Sequence, residues 1–443
     1  MIGIVVSRAD EASEHVGEHL LALRDWSEHR DDERAAGDGG GTYHRCGPFE
    51  RRTFDDLHLS LEGVAAAFDE PDLVVFASRH SGETGPLLTA HFTGNLGPAE
   101  FGGEDGRLAA AAPAALDRVV AAFDEHVPAG YDTGIECTHH GPSDVGAPSL
   151  FVELGSGPDE WADAAAAEAV ARSILALADL GDPVGERAVV GLGGGHYAKR
   201  FERVLTQTGW AVGHVAADWG LDAMGDPREH RDVVRQLFEQ SGTSRALLDG
   251  EQPELEAVVE ELGYEVVSET WVRAVDGVDL ALVETLASEL STVEAGLRFG
   301  EPARDHEGGY EVVELPDELL AAARGVAAER TRAAVETNLL AFETGEGASK
   351  VVGRGAVADS GDREALVDAL VGVLAERYDR VERGEDSVVV RERGFDPERA
   401  RELGVPEGPA FGRLANGEAV DVDGTTVAPE DVLVDRVEAF PLR

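Results

Sequence analysis

Lysine is almost missing from this chain: Lys199 and Lys350 are the only two in 443 residues. With arginine included, 38 cationic side chains face 87 acidic ones, a formal net charge of -49. The basic patch that usually marks a nucleic-acid binder is therefore absent. Cysteine is also scarce. Cys46 and Cys137 are too few for a disulfide framework and suit a reducing compartment. No apolar run reaches the roughly 18 residues that a membrane span needs. The opening MIGIVVSRADEASEH lacks a basic segment followed by an apolar one, so no signal peptide is expected, and the expected location is cytoplasmic. HExxH, CxxC and the GK[ST] ending of a phosphate-binding loop do not occur, and no GxSxG elbow stands beside the histidines. These absences speak against a zincin, a structural zinc knuckle, a P-loop enzyme and a serine hydrolase.

What is present is an acidic surplus spread along the whole chain, between well-patterned apolar segments, with hydrophobic residues making up 43% of the sequence. An acidic tail or a disordered chain would concentrate the charge or lack the apolar pattern. The distribution suits a surface that stays hydrated in strong salt. In molar salt the Debye length falls to about 3 Å, so the charge does not exclude a polyanionic substrate.

Strands are expected at Ile2–Val6, Leu73–Ala77, Leu150–Leu154 and Ala188–Leu192, where short apolar runs are bounded by polar residues. Helices are expected over 11–24, 159–180 and 197–208, and a charged, glycine-rich loop over 30–42. Strands alternating with helices give an α/β fold with a mixed, largely parallel sheet and helices on both faces. The pattern changes near residue 272, which is taken as a boundary before a C-terminal α+β extension over 273–443. In that extension, helices are expected over 280–297, 316–332 and 363–377, and a polar loop over 345–355.

Three histidine-bearing clusters follow strands or glycine turns, where α/β proteins place ligand sites. The first is Ser78-Arg79-His80-Ser81-Gly82, with His91-Phe92-Thr93-Gly94-Asn95 soon after. The second is Glu136-Cys137-Thr138-His139-His140-Gly141-Pro142, followed by Glu153 inside an apolar strand. A carboxylate there is costly unless a histidine or a metal pairs with it. On an extended chain His139 and His140 point opposite ways, so they are not expected to share one metal. The third is Gly191-Leu192-Gly193-Gly194-Gly195-His196-Tyr197. Its glycines let backbone amides approach a phosphate or an oxyanion. Each cluster also fits a blander reading, a polar loop with satisfied hydrogen bonds, and His214 fits a satisfied core histidine.

Taken together, SRHSGETGPLLTAHFTGN (78–95), THHGPSDVGAPSLFVELGS (138–156) and GLGGGHYAKRF (191–201) resemble the archaeal and plant type of D-aminoacyl-tRNA deacylase. Where that family usually has GGGHYAP, Lys199 replaces the proline. The resemblance implies a fold akin to peptidyl-tRNA hydrolase and nucleoside phosphorylase over residues 1 to about 272. It implies hydrolysis of D-aminoacyl-tRNA, dependence on one zinc ion or two, and D-aminoacyl-tRNA as partner. No stable protein partner is expected, and the chain is expected to be a monomer. His80, His139 and His196 are the candidates for ligand or base. His80, His139, His140, Glu153 and His196 are the candidate metal ligands. Arg79, Gly193, Gly194 and Gly195 are candidates for holding phosphate or an oxyanion. Residues 402–433 are similar to a short segment of the tRNA 3′-processing endonuclease, without its metal motif. The competing readings are a phosphorylase-like nucleoside transferase and an inactive tRNA-binding adaptor.

Overall fold

The structure, a computed structural model, describes residues 1–442 and divides into two compact units, Met1–Arg273 and Ala274–Arg443. The first unit holds twelve strands in two sheets. Its strands are β1 (Ile2–Ser7), β2 (Ser27–Asp31), β3 (Gly41–Cys46), β4 (Phe49–Phe54), β5 (Leu73–Arg79), β6 (Leu87–His91), β7 (Asp132–Ile135), β8 (Ser149–Gly155), β9 (Ala188–Gly193), β10 (Ala211–Ala216), β11 (Arg245–Asp249) and β12 (Glu265–Val267). The larger sheet runs β2-β3-β4-β1-β5-β8-β6-β7, and the smaller one β10-β9-β11-β12. β1 pairs in parallel with β4 and β5, and β5 with β8; β6 enters antiparallel to β8. The smaller sheet is parallel throughout.

β1 and β8 are buried at every residue, which is why they read as apolar runs, broken in β8 only by Glu153 and the terminal Ser149. Helices α1 (Glu11–Leu23), α2 (Pro113–His126), α3 (Pro158–Trp161) and α4 (Ala164–Leu175) follow the chain over the larger sheet. α4 packs between α1 and α2 on one face, where a methyl group at Gly17 would meet Val6 at 3.0 Å. The opposite face carries Val5, Val74, Phe76 and Phe151, covered by short 3-10 turns at His58–Ser60 and Val64–Ala67. The smaller sheet is covered by α5 (Lys199–Gln207), α6 (Asp218–Met224), α7 (Arg231–Glu239) and α8 (Pro253–Glu261). Val190 and Leu192 pack with α6, α7 and α8, whereas Gly191 lies against Phe201 of α5. The α/β class expected from the sequence is thus built as two sheets.

α9 (Glu269–Ala274) ends the first unit. The second contains α10 (Leu280–Glu289), α11 (Asp317–Val326), α12 (Ala328–Asn338), α13 (Ser360–Leu374), α14 (Pro397–Glu402) and α15 (Pro409–Ala415). Its four-stranded antiparallel sheet joins β13 (Leu297–Phe299), β14 (Glu311–Glu314), β15 (Ala341–Gly345) and β16 (Lys350–Val357). β17 (Arg380–Arg383), β18 (Ser387–Phe395) and β21 (Leu433–Pro441) form a second sheet, and β19 (Val420–Val422) with β20 (Thr425–Val427) a small hairpin.

Several local expectations need correction. The loop expected over 30–42 is flanked and partly replaced by the β2–β3 hairpin. The helix expected over 159–180 breaks at Asp163, whose backbone turns extended while its carboxylate accepts the amides of Ala165 and Ala166, starting α4 afresh. The helix expected over 280–297 stops at Glu289, and that over 316–332 is two helices meeting at Ala327. Most of the polar interval 345–355 is β16, which is paired on both edges.

Candidate functional site

Strand order brings the three histidine clusters to one place. β8 lies between β5 and β6, so Glu153 sits opposite Ser78 on one side and Thr89 on the other. One residue past β5 comes His80, and β6 ends at His91. β7 leads into Glu136, after which the chain crosses to the smaller sheet. There Cys137 donates its amide to the His196 carbonyl, and Thr138 to that of Val215. The site therefore forms where the two sheets meet.

A cavity of about 480 Å³ opens here, lined by Arg79, His80, His139, His140, Glu153 and His196, with Asp10, His58 and Phe101 on its walls. A second cleft of about 500 Å³ near Asp226 and Glu254 is lined by no histidine. The chemistry is concentrated in the first.

His80, His139 and His196 converge on a single carboxylate, Glu136. Its Oε1 lies 3.1 Å from His80 Nδ1. Its Oε2 lies 2.7 Å from His196 Nε2 and 3.6 Å from His139 Nε2. Glu153 is the second buried acid, 3.6 Å from His80 Nδ1 and 3.5 Å from His91 Nε2. Burial alone would drive both carboxyls toward the neutral form. Hydrogen bonds from His196 and His80 outweigh it at Glu136, holding that carboxyl well below its usual range. His80 and His91 likewise hold Glu153 down at about 2. For His80, burial works against the charged form, but the two carboxylates prevail and raise its pKa to about 10. The centre of the site is thus a charged network.

His139 and His140 behave differently. Burial, followed by the charge on His91, holds His139 well below its ordinary pKa and His140 at about 4. Both rings stay neutral. The expectation that these neighbours point apart is overturned: His140 has φ +48°, and the rings lie 4.3 Å apart. A left-handed residue breaks the alternation of an extended chain.

Arg79 lines the cavity with its guanidinium 5.1 Å from the Trp161 ring centroid. Gly193, Gly194 and Gly195 are not among the residues lining the cavity, although His196 is. Gly193 and Gly194 have positive φ and lie so close to Asp249 that a methyl group on Gly194 would come within 2.6 Å of its carboxylate. An acid at that turn opposes an anion there. His214 is fully buried, accepts from Thr138 Oγ1 at Nδ1 and donates Nε2–H to the Ala109 carbonyl. It is a core histidine that braces the His139 segment.

Sequence reasoning passed over Glu136 and His91, although both stand inside the quoted clusters. It did not single out Asp10 or His58. Asp10 caps α1 through the Ser13 amide, accepts the Arg79 amide and lies 3.6 Å from His58. Tyr197 Oη, 3.3 Å from His80 Nε2, was also missed. Only folding makes these residues neighbours.

A family model of D-aminoacyl-tRNA deacylase matches residues 67–267, which include the whole histidine–carboxylate cluster. The D-aminoacyl-tRNA deacylase of Natronomonas pharaonis is 58% identical over 98% of each chain. That of Halorubrum lacusprofundi is 52% identical over 100% of this chain and 97% of its own. This chain belongs to the D-aminoacyl-tRNA deacylase family. More distant members are similar too: the deacylase of Methanococcoides burtonii is 33% identical over 97% of this chain and 94% of its own. A solved structure of a conserved protein of unknown function, AF0625, is 27% identical with a TM-score of 0.54, covering 60% of this chain and 95% of that one.

Family resemblance implies zinc, and the donor chemistry fits it. His91, His139 and His140 each donate Nδ1–H to a backbone carbonyl, those of Phe92, Cys137 and Gly141, at 2.8 to 2.9 Å. In the neutral ring each Nε2 then offers a lone pair; that of His91 is buried 3.5 Å from Glu153 Oε1, and a metal there would take the place of its proton. Backbone carbonyls fixing the far nitrogen are what metal-binding imidazoles need. Among the described residues three overlapping groups bring ligand atoms within 4.8 Å of one another: His91, His139 and His140; Glu136, His139 and His196; and His80, Glu136 and Glu153. His91 therefore joins the candidate ligands, and His139 belongs to two of the groups.

Proposed function

We propose that this deacylase-family chain hydrolyses the ester joining a D-amino acid to the terminal ribose of tRNA, releasing both in the cytoplasm as a quality-control step. The observation that carries the reading is the convergence of His80, His139 and His196 on Glu136 beside the cavity.

Ester hydrolysis needs an activated water, support for a tetrahedral oxyanion and a proton for the departing ribose hydroxyl. His91, His139 and His140, with Glu136 and His196 as a second set, are the side chains that would hold zinc. Bound zinc supplies Lewis acidity that makes water nucleophilic near neutral pH. Glu136 Oε2 and His196 Nε2 are 2.7 Å apart; where the metal is held by His91, His139 and His140, this pair is free to take the proton from the attacking water and return it to the departing ribose oxygen. His80, whose Nδ1 is held by Glu136 and Glu153, has its Nε2–H as the hydrogen-bond donor for the oxyanion. Arg79 orients the substrate from the cavity wall, by bidentate hydrogen bonds to a phosphate near the tRNA 3′ end.

The test is turnover of D-tyrosyl-tRNA and L-tyrosyl-tRNA by the purified chain in molar KCl. Release of D-tyrosine alone is expected, and equal rates on both substrates would overturn the reading. His80→Ala, His139→Ala and His196→Ala should each cut the D-specific rate by about a hundredfold or more. Chelation should abolish it and zinc should restore it.

A further inference from the structure

Among the described residues four large hydrophobic side chains stand exposed: Phe101 at 66%, Trp219 at 50%, Leu403 at 44% and Val437 at 53%. One of the two aromatic ones lines the histidine cavity, and the other stands beside His196, which lines it. Phe101 is part of its wall. Trp219, in the first turn of α6, lies nearly parallel to the His196 ring with centroids 6.4 Å apart and planes inclined by 28°. Neither is exposed because its backbone is loose. The Phe101 carbonyl accepts the Gly141 amide at 2.9 Å, one residue from His140. The Gly102 carbonyl accepts from Asn95 Nδ2, also at 2.9 Å. Gly102 has φ +78° and lies so close to the Leu59 carbonyl that a methyl group there would come within 2.1 Å of it. The loop is fixed, and it holds a ring out into water beside the reacting groups.

We propose that Phe101 and Trp219 are the stacking contacts for the unpaired nucleobases at the 3′ end of the tRNA. The proposal rests on the reading that the substrate is an aminoacyl ester of tRNA. Aromatic side chains bind unpaired bases through their faces, which every base offers, and each such contact is worth about tenfold or more in affinity. The charge on the chain makes this mode the suitable one. A surface with 87 acidic against 38 basic side chains gains little from phosphates beyond the Arg79 contact, and at molar salt that little is screened. Stacking involves no net charge and survives the salt. It also puts the base beside His196 and Phe101, so that the ester on the adjoining ribose reaches the cavity.

The experiment uses the full chain in molar KCl and tRNA whose 3′-terminal adenine is replaced by fluorescent 2-aminopurine. Binding should quench the fluorescence. Phe101→Ala, Phe101→Leu and Trp219→Ala should each weaken the quench and raise KM for D-tyrosyl-tRNA about tenfold, with kcat changed less than about threefold. Phe101→Tyr and Trp219→Phe should restore both. Phe101→Leu keeps apolar bulk without a π-face, so a loss there is not a folding defect. Wild-type quench and KM in all three disruptive variants would overturn the proposal while leaving D-specific turnover intact. Aromatic-dependent quench without any D-specific turnover would support the stacking contacts and overturn the hydrolytic reading instead.

Discussion

At the scale of single residues, the site depends on two buried carboxylates that stay charged. Glu136 touches three imidazoles and Glu153 two, and each contact offsets part of the cost of burying an ion. Replacing Glu136 by Gln keeps the shape and removes one of the two charges that raise His80. Single-turnover D-tyrosyl-tRNA hydrolysis should then slow about a hundredfold, with far-ultraviolet dichroism unchanged. His214 illustrates the opposite case, an imidazole kept neutral. Burial lowers its pKa from 6.5 to about 4, against a weaker upward pull from the Ala109 carbonyl. The unfolded chain takes up the proton below about 6.5, whereas the folded chain resists it. Stability from this residue is therefore full above pH 6.5 and lost as pH falls toward 4, by about 3 kcal/mol. Urea unfolding at constant KCl should show a loss of stability over that range, and His214→Gln should make the slope shallower, with His58, His139 and His140 still contributing.

At the scale of elements, apolar patterning and turn chemistry set how much could be read in advance. β1, β5, β8 and β9 were legible because strands buried on both faces appear as mostly apolar runs, even with Glu153 inside β8. β2 was not, because its residues SEHRD are mostly exposed and charged. Nor was β16, a glycine-containing strand whose pairing depends on β14 and β15. The break before α4 was hidden in an alanine-rich stretch, since composition favours helix on both sides of Asp163. Asp163→Ala should remove the cap and cost about 1 kcal/mol, measured as the shift in urea midpoint. The same scale explains His140. Gly141 faces the Gly103 amide so closely that a methyl group would come within 2.3 Å, and the chain turns sharply there, swinging His140 back beside His139. Gly141→Ala should therefore disturb zinc binding more than the loss of flexibility alone would suggest, which metal analysis after dialysis would show.

At the scale of the whole molecule, charge and division matter most. Eighty-seven acidic side chains repel one another at low ionic strength, and salt screens them. The thermal midpoint should rise steadily from dilute buffer to molar KCl, and a flat response would contradict a salt-adapted surface. All the side chains of the histidine–carboxylate cluster come from residues 80–196, inside the unit Met1–Arg273, while Ala274–Arg443 encloses an apolar cluster of its own around Leu319, Phe342 and Leu370. A chain ending at Arg273 should keep the single-turnover rate at saturating tRNA. Loss of that rate would give the C-terminal unit a part in the chemistry.

The sequence by itself determined the α/β class, the acidic character and the three histidine clusters, because burial, charge and glycine turns are written in local order. Only the tertiary structure decided that the clusters meet on Glu136, that His91 belongs with His139 and His140, and that the cavity wall includes Asp10 and His58. Those groupings depend on β8 lying between β5 and β6 and on the junction of two sheets. Strand order and a single left-handed residue leave no periodic trace in the chain.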